Sequence, residues 1–379
     1  MKKLFSVVLV LFMAFVLTAC EEADTPSDTS KEEDDIQINV IVEEDETEHE
    51  ASISFKKDSD ILEALKSEFE LEYLQTDDGV FLNRIGTLSP YEGSFIHIEK
   101  NDEAVMDAIN DLSFEDEDTL RFSLAWWDDD LKTIYDALSQ SFDFILAQDA
   151  YFEAQAEMHV VRALGFLEAY DDVSIELMDE ADLEDAASIA KEIFVLNALG
   201  ADVEELQSKL NEDVSLIHPY TDAIHAMALY GYEADDFIDS FISMASNVDL
   251  DQNDHDTLSL LYFALKAYDE VDLANDIANH LYQIPHDNLW GNNASSYAWI
   301  LMVYTYHGFD IFDEELNDGD RSLIDVFLTH QTSEGSFVYM SEDDDADLMF
   351  TTPQAFLALA YLHAHANGNQ NHPLLDPND

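Results

Sequence analysis

The chain has 379 residues, 47% of them apolar, which suffices for two domains and a sizeable core and excludes a purely disordered acidic tail. Its 84 Asp and Glu face only 15 Lys and Arg, a formal charge of −69 spread along the whole length. No basic patch exists to displace counterions, so nucleic acid is excluded as a partner; a saline or alkaline medium, or cations such as calcium on the acidic surface, would offset the self-repulsion.

Lys2 and Lys3 precede an apolar run from Leu4 to Leu17, too short to span a bilayer and built like a secretory signal. Its end, Leu17-Thr18-Ala19-Cys20, resembles the lipobox of bacterial lipoproteins. Cys20 is the only cysteine, at the one position where that resemblance places lipid. The expectation is a signal over residues 1–20 and a lipid-anchored protein on the outer face of a Gram-positive cell membrane. With Cys20 consumed, no thiol remains for a disulfide or a thiolate metal site. Residues 21–35, almost wholly Asp, Glu, Ser, Thr, Lys and Pro, read as a flexible tether.

Residues 36–127 read as a small strand-rich domain. Ile36-Gln37-Ile38-Asn39-Val40-Ile41-Val42 alternates as a strand does, and Ala51-Ser52-Ile53-Ser54-Phe55 follows an acidic turn. Asp58-Ser59-Asp60 caps a short helix from Ile61. Further strands fall at 73–74, 80–82, 95–98 and 119–125, and a second helix is expected over 104–112. Ser59-Asp60-Ile61-Leu62-Glu63-Ala64-Leu65, Gly79-Val80-Phe81-Leu82-Asn83-Arg84-Ile85-Gly86 and Ser94-Phe95-Ile96-His97-Ile98 together resemble the small β-domain of transcobalamin-like proteins. The chain departs from that family where Asn101-Asp102 replaces its Asn-Gly, so the ligand does not carry over.

From 128 to 366 one phrase returns: an apolar helix closes, a Gly or Asp follows, and an acidic helix begins. It occurs at Gly200, Gly231, Asp269 and Gly308, and spacings of this kind define stacked helix pairs that bury their apolar faces only by packing side by side. About eleven helical stretches fall here, such as the apolar ladder Leu131, Tyr135, Leu138, Phe142, Ile145. Gln331-Thr332-Ser333-Glu334-Gly335-Ser336-Phe337 resembles the repeat of terpene cyclases and prenyltransferases, and 351–360 resembles the helix that follows it there. The fold expected is α+β multidomain: a β-grasp-like domain, then an α/α toroid enclosing a hollow, with 367–379 as a disordered tail.

Catalytic residues are hard to nominate. The acidic run Glu342-Asp343-Asp344-Asp345-Ala346-Asp347 does not spell the acid motif of a cyclase and reads as a solvated turn, and a prenyltransferase zinc set would need a cysteine. His218, His225, His363 and His365 read as incidental. Asp249 to His255 begins like a calcium loop, but Asp254 stands where Gly is needed and Leu260 where Glu is needed. Aromatics near helix starts and loops, namely Trp290, Tyr297, Phe337 and Tyr339, with Trp126 and Trp127 at the domain junction, are the candidate pocket rim. The resemblances imply a binding protein holding cobalamin or a similar bulky cofactor between the two halves and passing it to a membrane transporter. The alternatives are a surface enzyme acting on polysaccharide or isoprenoid, and a cell-surface scaffold.

Overall fold

The computed structural model describes residues 35–44, 47–57, 59–76, 79–105, 108–148, 158–170, 175, 177–178, 183–283, 293–312, 321–341 and 345–375. Cys20 and the expected signal and tether up to residue 34 lie outside the described residues. No helix among the described residues is long and apolar enough to cross a membrane.

The β-domain is built on β1 (Asp35–Glu44) and β2 (Thr47–Lys56), an antiparallel pair. Ile36, Ile38, Val40 and Val42 all face inward while Gln37 and Asn39 face out, the two-residue period of a half-buried sheet. β7 (Thr119–Trp126) runs parallel to β1, and β5 (Ser94–Lys100) runs antiparallel to β7, giving with the short β6 (Glu103–Ala104) the order β2-β1-β7-β5-β6, first and last long strands side by side. β3 (Leu71–Thr76) and β4 (Gly79–Ile85) form a separate hairpin. Helix α1 (Ile61–Leu65) is capped by Asp60, whose Oδ1 accepts from Leu62 N at 2.9 Å, and buries Ile61, Leu62 and Leu65 against this core.

The helix expected over 104–112 is not formed among its described residues. Asn101 and Asp102 adopt positive φ (54° and 64°), turning the chain so that β6 (Glu103–Ala104) pairs back onto β5. What remains is one 3-10 turn, Ile109–Asp111. Tertiary pairing has overridden the local apolar spacing.

Eleven α-helices occur among the described residues from 129 onward. They are α2 (Asp129–Leu146), α3 (Met158–Phe166), α4 (Ala186–Ala198), α5 (Glu204–Asp213), α6 (Pro219–Ala228), α7 (Asp235–Ala245), α8 (His255–Ala267), α9 (Val271–Tyr282), α10 (Ala294–His307), α11 (Leu323–Leu328) and α12 (Thr351–Ala366). Their packing closes a circle: α3 on α4, α4 on α6, α6 on α8, α8 on α10, α10 on α12, and α12 back on α3. α2, α5, α7, α9 and α11 pack outside, against α12, α4, α6, α8 and α10 respectively. The array is therefore a double-layered ring rather than an open solenoid. Inner α10 and α12 are buried nearly all round, whereas outer α7 and α9 bury a single face.

The repeated phrase has a stereochemical cause. Each inner helix ends in a residue at positive φ: Glu168 (54°), Gly200 (68°), Gly231 (79°), Asp269 (59°), Gly308 (89°) and Gly368 (90°). After five of them the next N–H reaches five residues back, as in Ala201 N to Leu196 O and Phe309 N to Tyr304 O, both 2.9 Å. This left-handed stop satisfies the last carbonyls and turns the chain outward to the next outer helix.

The Gln331–Phe337 phrase is a staple. Gln331 Nε2 donates to Ala137 O (2.8 Å) and Ser141 Oγ (3.0 Å) on α2, while Ser141 Oγ donates to Gly335 O at 2.8 Å. The loop thus locks α11 to α2 and puts Phe337, fully buried, in a stack on Phe327 at 4.9 Å.

Two expectations change at the centre of the ring. Among the described residues the hollow is filled: the void between Arg162, Phe194, Tyr220, Leu260, Trp299 and Leu374 is about 10 Å³, barely the room of one water. The tail expected to be disordered beyond residue 366 instead continues as an ordered segment up to 375 that enters the ring. Leu374 and Leu375 are buried, and Arg162 donates to the carbonyls of His372, Pro373 and Leu375. Composition misled here, because Asn-rich 367–371 hides the two leucines that find apolar space on the ring axis.

Candidate functional site

The two halves meet at the end of the ring where the inner helices finish. Gly93 makes the approach possible: at φ 81° it lies where a Cβ would fall 2.9 Å from both Asp128 Cβ and Leu131 Cδ1. Its carbonyl accepts from Trp127 N at 2.9 Å, so the loop before β5 is tied to the start of α2. Buried Ser94 shapes the same loop, its Oγ accepting from Tyr91 N (2.7 Å) and donating to Tyr91 O (2.8 Å). Tyr91 is thereby set among Trp126 (6.3 Å, stacked), Tyr135 (4.9 Å) and His363 (4.8 Å). Glu92 N donates to Asn367 Oδ1 at 2.8 Å, joining the β-domain directly to the end of α12.

Beside this cluster opens a cleft of about 400 Å³, with Tyr91, His363, Asn367 and Glu168 around it and Phe166 and Leu167 beneath. Burial holds the His363 pKa down to about 4, so at neutral pH the ring is an uncharged donor and acceptor. Asn367 Nδ2 donates to His363 O at 2.8 Å, which fixes the amide. Glu168, at positive φ as the stop of α3, brings one carboxylate. A neutral imidazole, an amide, a phenol and a carboxylate over an apolar floor can orient a small molecule with several hydrogen-bonding edges.

The expected rim residues scatter. Trp126 belongs to the junction cluster. Trp127, 65% exposed, lies outside it, stacked on Phe95 at 5.9 Å. Tyr297 and Phe337 are fully buried in the ring, Tyr297 with its ring 5.6 Å from that of His330, so neither forms a rim. Tyr339, half-exposed, sits at the opposite mouth, its carbonyl accepting from Ala294 N at 3.0 Å. Trp290 lies outside the described residues. Nearness to a helix start or loop, the ground for Trp290, Tyr297, Phe337 and Tyr339, does not say which way a side chain faces. Tyr91, Tyr135, His363 and Asn367 were not nominated; the signal for the last two was their four-residue spacing, which shares one helix face.

The calcium-like segment is spent on caps: Asp249 Oδ1 accepts from Asp251 N (3.2 Å) and Asp254 Oδ1 from Thr257 N (2.7 Å). Asp347, the last acid of its run, accepts from Met349, Phe350 and Thr351 N in the turn that leads into α12. Among the described residues no group of His, Asp, Glu or Cys is arranged to hold a metal.

One acid at the opposite mouth is not spent in this way. Asp256, on the same face of α8 as axis-lining Leu260, is pushed up to about pKa 6 by burial, with Asp254 adding and a Ser296 hydrogen bond opposing. Its Oδ1 is sealed from solvent with no partner among the described residues. A folded pKa above the ordinary 3.8 means the group opposes folding increasingly as pH rises from about 4 through 6. Asp256→Asn should therefore leave stability unchanged near pH 4 and raise it by about 2 kcal/mol at pH 8, a melting gain of roughly 3 °C. Thermal melts of both proteins across that range check this; equal melting temperatures at pH 8 would refute the burial.

No family model matches the chain, and no curated protein matches it. Among solved structures it is similar to a chain from Ruminococcus gnavus titled a "putative metal binding protein", at 22% identity, covering 25% of this chain and 98% of that one, with a TM-score of 0.22.

Proposed function

We propose that this chain is an extracytoplasmic binding protein, held to the membrane by lipid on Cys20, that carries a small molecule in the cleft between its β-domain and its ring. The observation that carries this is the cleft itself, about 400 Å³ between the halves and edged by Tyr91, His363 and Asn367, while the ring axis has no room for a ligand. That volume is at the lower end of the ~300–1,000 Å³ usual for small-molecule sites. A cobalamin-like cofactor would enter with one amide-bearing edge and leave its remainder outside, accessible to a membrane transporter. Asn367 and neutral His363 supply the donors and acceptors such an edge pairs with.

Titrating the purified chain with cobalamin, cobinamide and other bulky cofactors tests the proposal, read by tryptophan fluorescence and melting temperature. Trp126 lies in the junction cluster, so a bound chromophore should quench it saturably. At a hundredfold excess over Kd the melting temperature should rise by an amount equivalent to about 2.7 kcal/mol. Absence of any shift with the whole set would sink the cofactor-carrier reading.

The alternative of a surface enzyme on polysaccharide or isoprenoid has one observation in its favour, the buried Asp256 of raised pKa at the ring mouth. A buried acid of raised pKa is what general-acid chemistry uses, but that chemistry pairs it with a second carboxylate about 5–10 Å away.

A further inference from the structure

A second cavity lies on the other side of the last turn of α12. Where His363 and Asn367 face the cleft, Leu362 and His365 face a groove of about 310 Å³ between α2, α12 and the loop that follows α10. Its floor is Leu131, Ile134 and Leu362, and Phe309 and Phe312 form its aromatic side. Phe309 is immobilised by rings on three sides, Tyr282 at 4.3 Å, His307 at 4.4 Å and Tyr304 at 5.4 Å.

The rim is acidic. Asp310 lines the groove, and its Oδ1 accepts from Phe312 N at 2.9 Å, which fixes the carboxylate beside the Phe312 ring. Asp130, next to the lining Leu131, has its pKa raised by partial burial and then by the charges of Asp128, Asp325, Asp129 and Asp310. Five carboxylates from α2, α11 and the α10–α11 loop thus crowd one corner. Lys132, the nearest base in sequence, is engaged by Asp136 within α2. His365 is neutral at physiological pH, because burial lowers its pKa. Asp310 therefore puts a negative charge on the wall of an apolar, aromatic-sided recess, and the other carboxylates add to the negative potential beside it.

We propose that this groove binds an organic monocation with an apolar body, a quaternary or tertiary ammonium. The charge complementarity decides the occupant. An anion would be repelled, a bare metal ion would leave the apolar floor without purpose, and a neutral hydrocarbon would gain nothing from the rim. An ammonium can lie against the faces of Phe309 and Phe312, where the aromatic quadrupole attracts cations, with Asp310 as counter-ion and its carbon body on Leu131, Ile134 and Leu362.

The test is calorimetric titration of the purified full chain with benzyltrimethylammonium, neutral 3-phenylpropanol and anionic benzenesulfonate, each in 0.5 M NaCl. That salt screens unspecific attraction to the polyanionic surface. The expected result is saturable one-to-one binding of the ammonium alone. Asp310→Asn and Phe312→Leu should each weaken it by about 3- to 30-fold, the range of a cation–aromatic or counter-ion contact. Asp213→Asn, at an exposed site ending α5, is the control and should change nothing. Equal binding of phenylpropanol, no binding of the ammonium, or an Asp310→Asn chain that binds like Asp213→Asn would each overturn the proposal. Cofactor titration of the cleft reads a different cavity, so either result can fail without the other.

Discussion

Gly335→Ala should lower the melting temperature by roughly 5 °C, the effect of about 3–4 kcal/mol on a chain of this size. Gly335 has φ 91°, a region that side chains rarely enter and that costs an L-residue about 1–2 kcal/mol. The added methyl would also have no place to go. Its ideal position is 2.0 Å from Gln140 O and 2.9 Å from Ser141 N, both main-chain atoms of α2 that cannot rotate away. Relief requires the loop to lift, which breaks Ser141 Oγ to Gly335 O and strains both Gln331 bonds to α2. Overpacking of that kind adds about 1–3 kcal/mol. By contrast Gly200, Gly231 and Gly308 have open space where a Cβ would fall, so alanine there carries the backbone cost alone. Circular-dichroism melts of Gly335→Ala against Gly308→Ala check the ordering; an equal loss in both would mean the loop is not clamped to α2.

The same glycines show how much was legible in the sequence. Gly200, Gly231, Asp269 and Gly308 marked the inner-helix stops because a left-handed residue is a chemical requirement, and Gly or Asp meets it visibly. Glu168 meets the same requirement without advertising it, and Gly368 was overlooked in an Asn-rich stretch taken for a tail. Strand alternation in 36–42 was equally plain, since one sheet face is buried and the other is wet. The closing contact of α12 on α3 could not be read at all. It joins segments nearly two hundred residues apart and depends on the summed turning of the pairs between them.

The candidate site was less legible for a related reason. Trp126 was identifiable because it ends the last strand at the seam between the two halves. Tyr91, which stacks on it, and His363 come from opposite ends of the chain, and only docking of the β-domain through Gly93 brings those two within 5 Å of each other. Tyr297 and Phe337 stand near loops in the sequence, as rim residues would, but Tyr297 heads a helix buried on every side and Phe337 is pulled inward by the Gln331 staple. Aromatic content locates a region of packing; the face each ring presents is set by neighbours distant in sequence.

Arg162→Met should cost about 3–5 kcal/mol and release the segment that fills the ring. Arg162 is 5% exposed on the axis, where its guanidinium donates to the carbonyls of His372, Pro373 and Leu375 and its plane rests on Phe166 at 4.7 Å. Met keeps the apolar stem and removes every donor. Three carbonyls left unpaired in the interior cost about 1–3 kcal/mol each, together roughly 3–9. Against that, burial of Leu374 and Leu375 holds the segment in place by about 1.5–3 kcal/mol apiece, or roughly 3–6. His372 adds one contact, its Nε2 lying 3.0 Å from Phe263 O. The unpaired carbonyls outweigh the two leucines over most of that range, so the chain should let the segment go rather than keep it dry. Amide exchange in 369–375 should then become fast while the inner helices stay protected, and the emptied axis should bind an apolar dye that the parent excludes. Unchanged protection of Leu374 and Leu375 in Arg162→Met would show that apolar burial alone anchors the segment and that the guanidinium is dispensable.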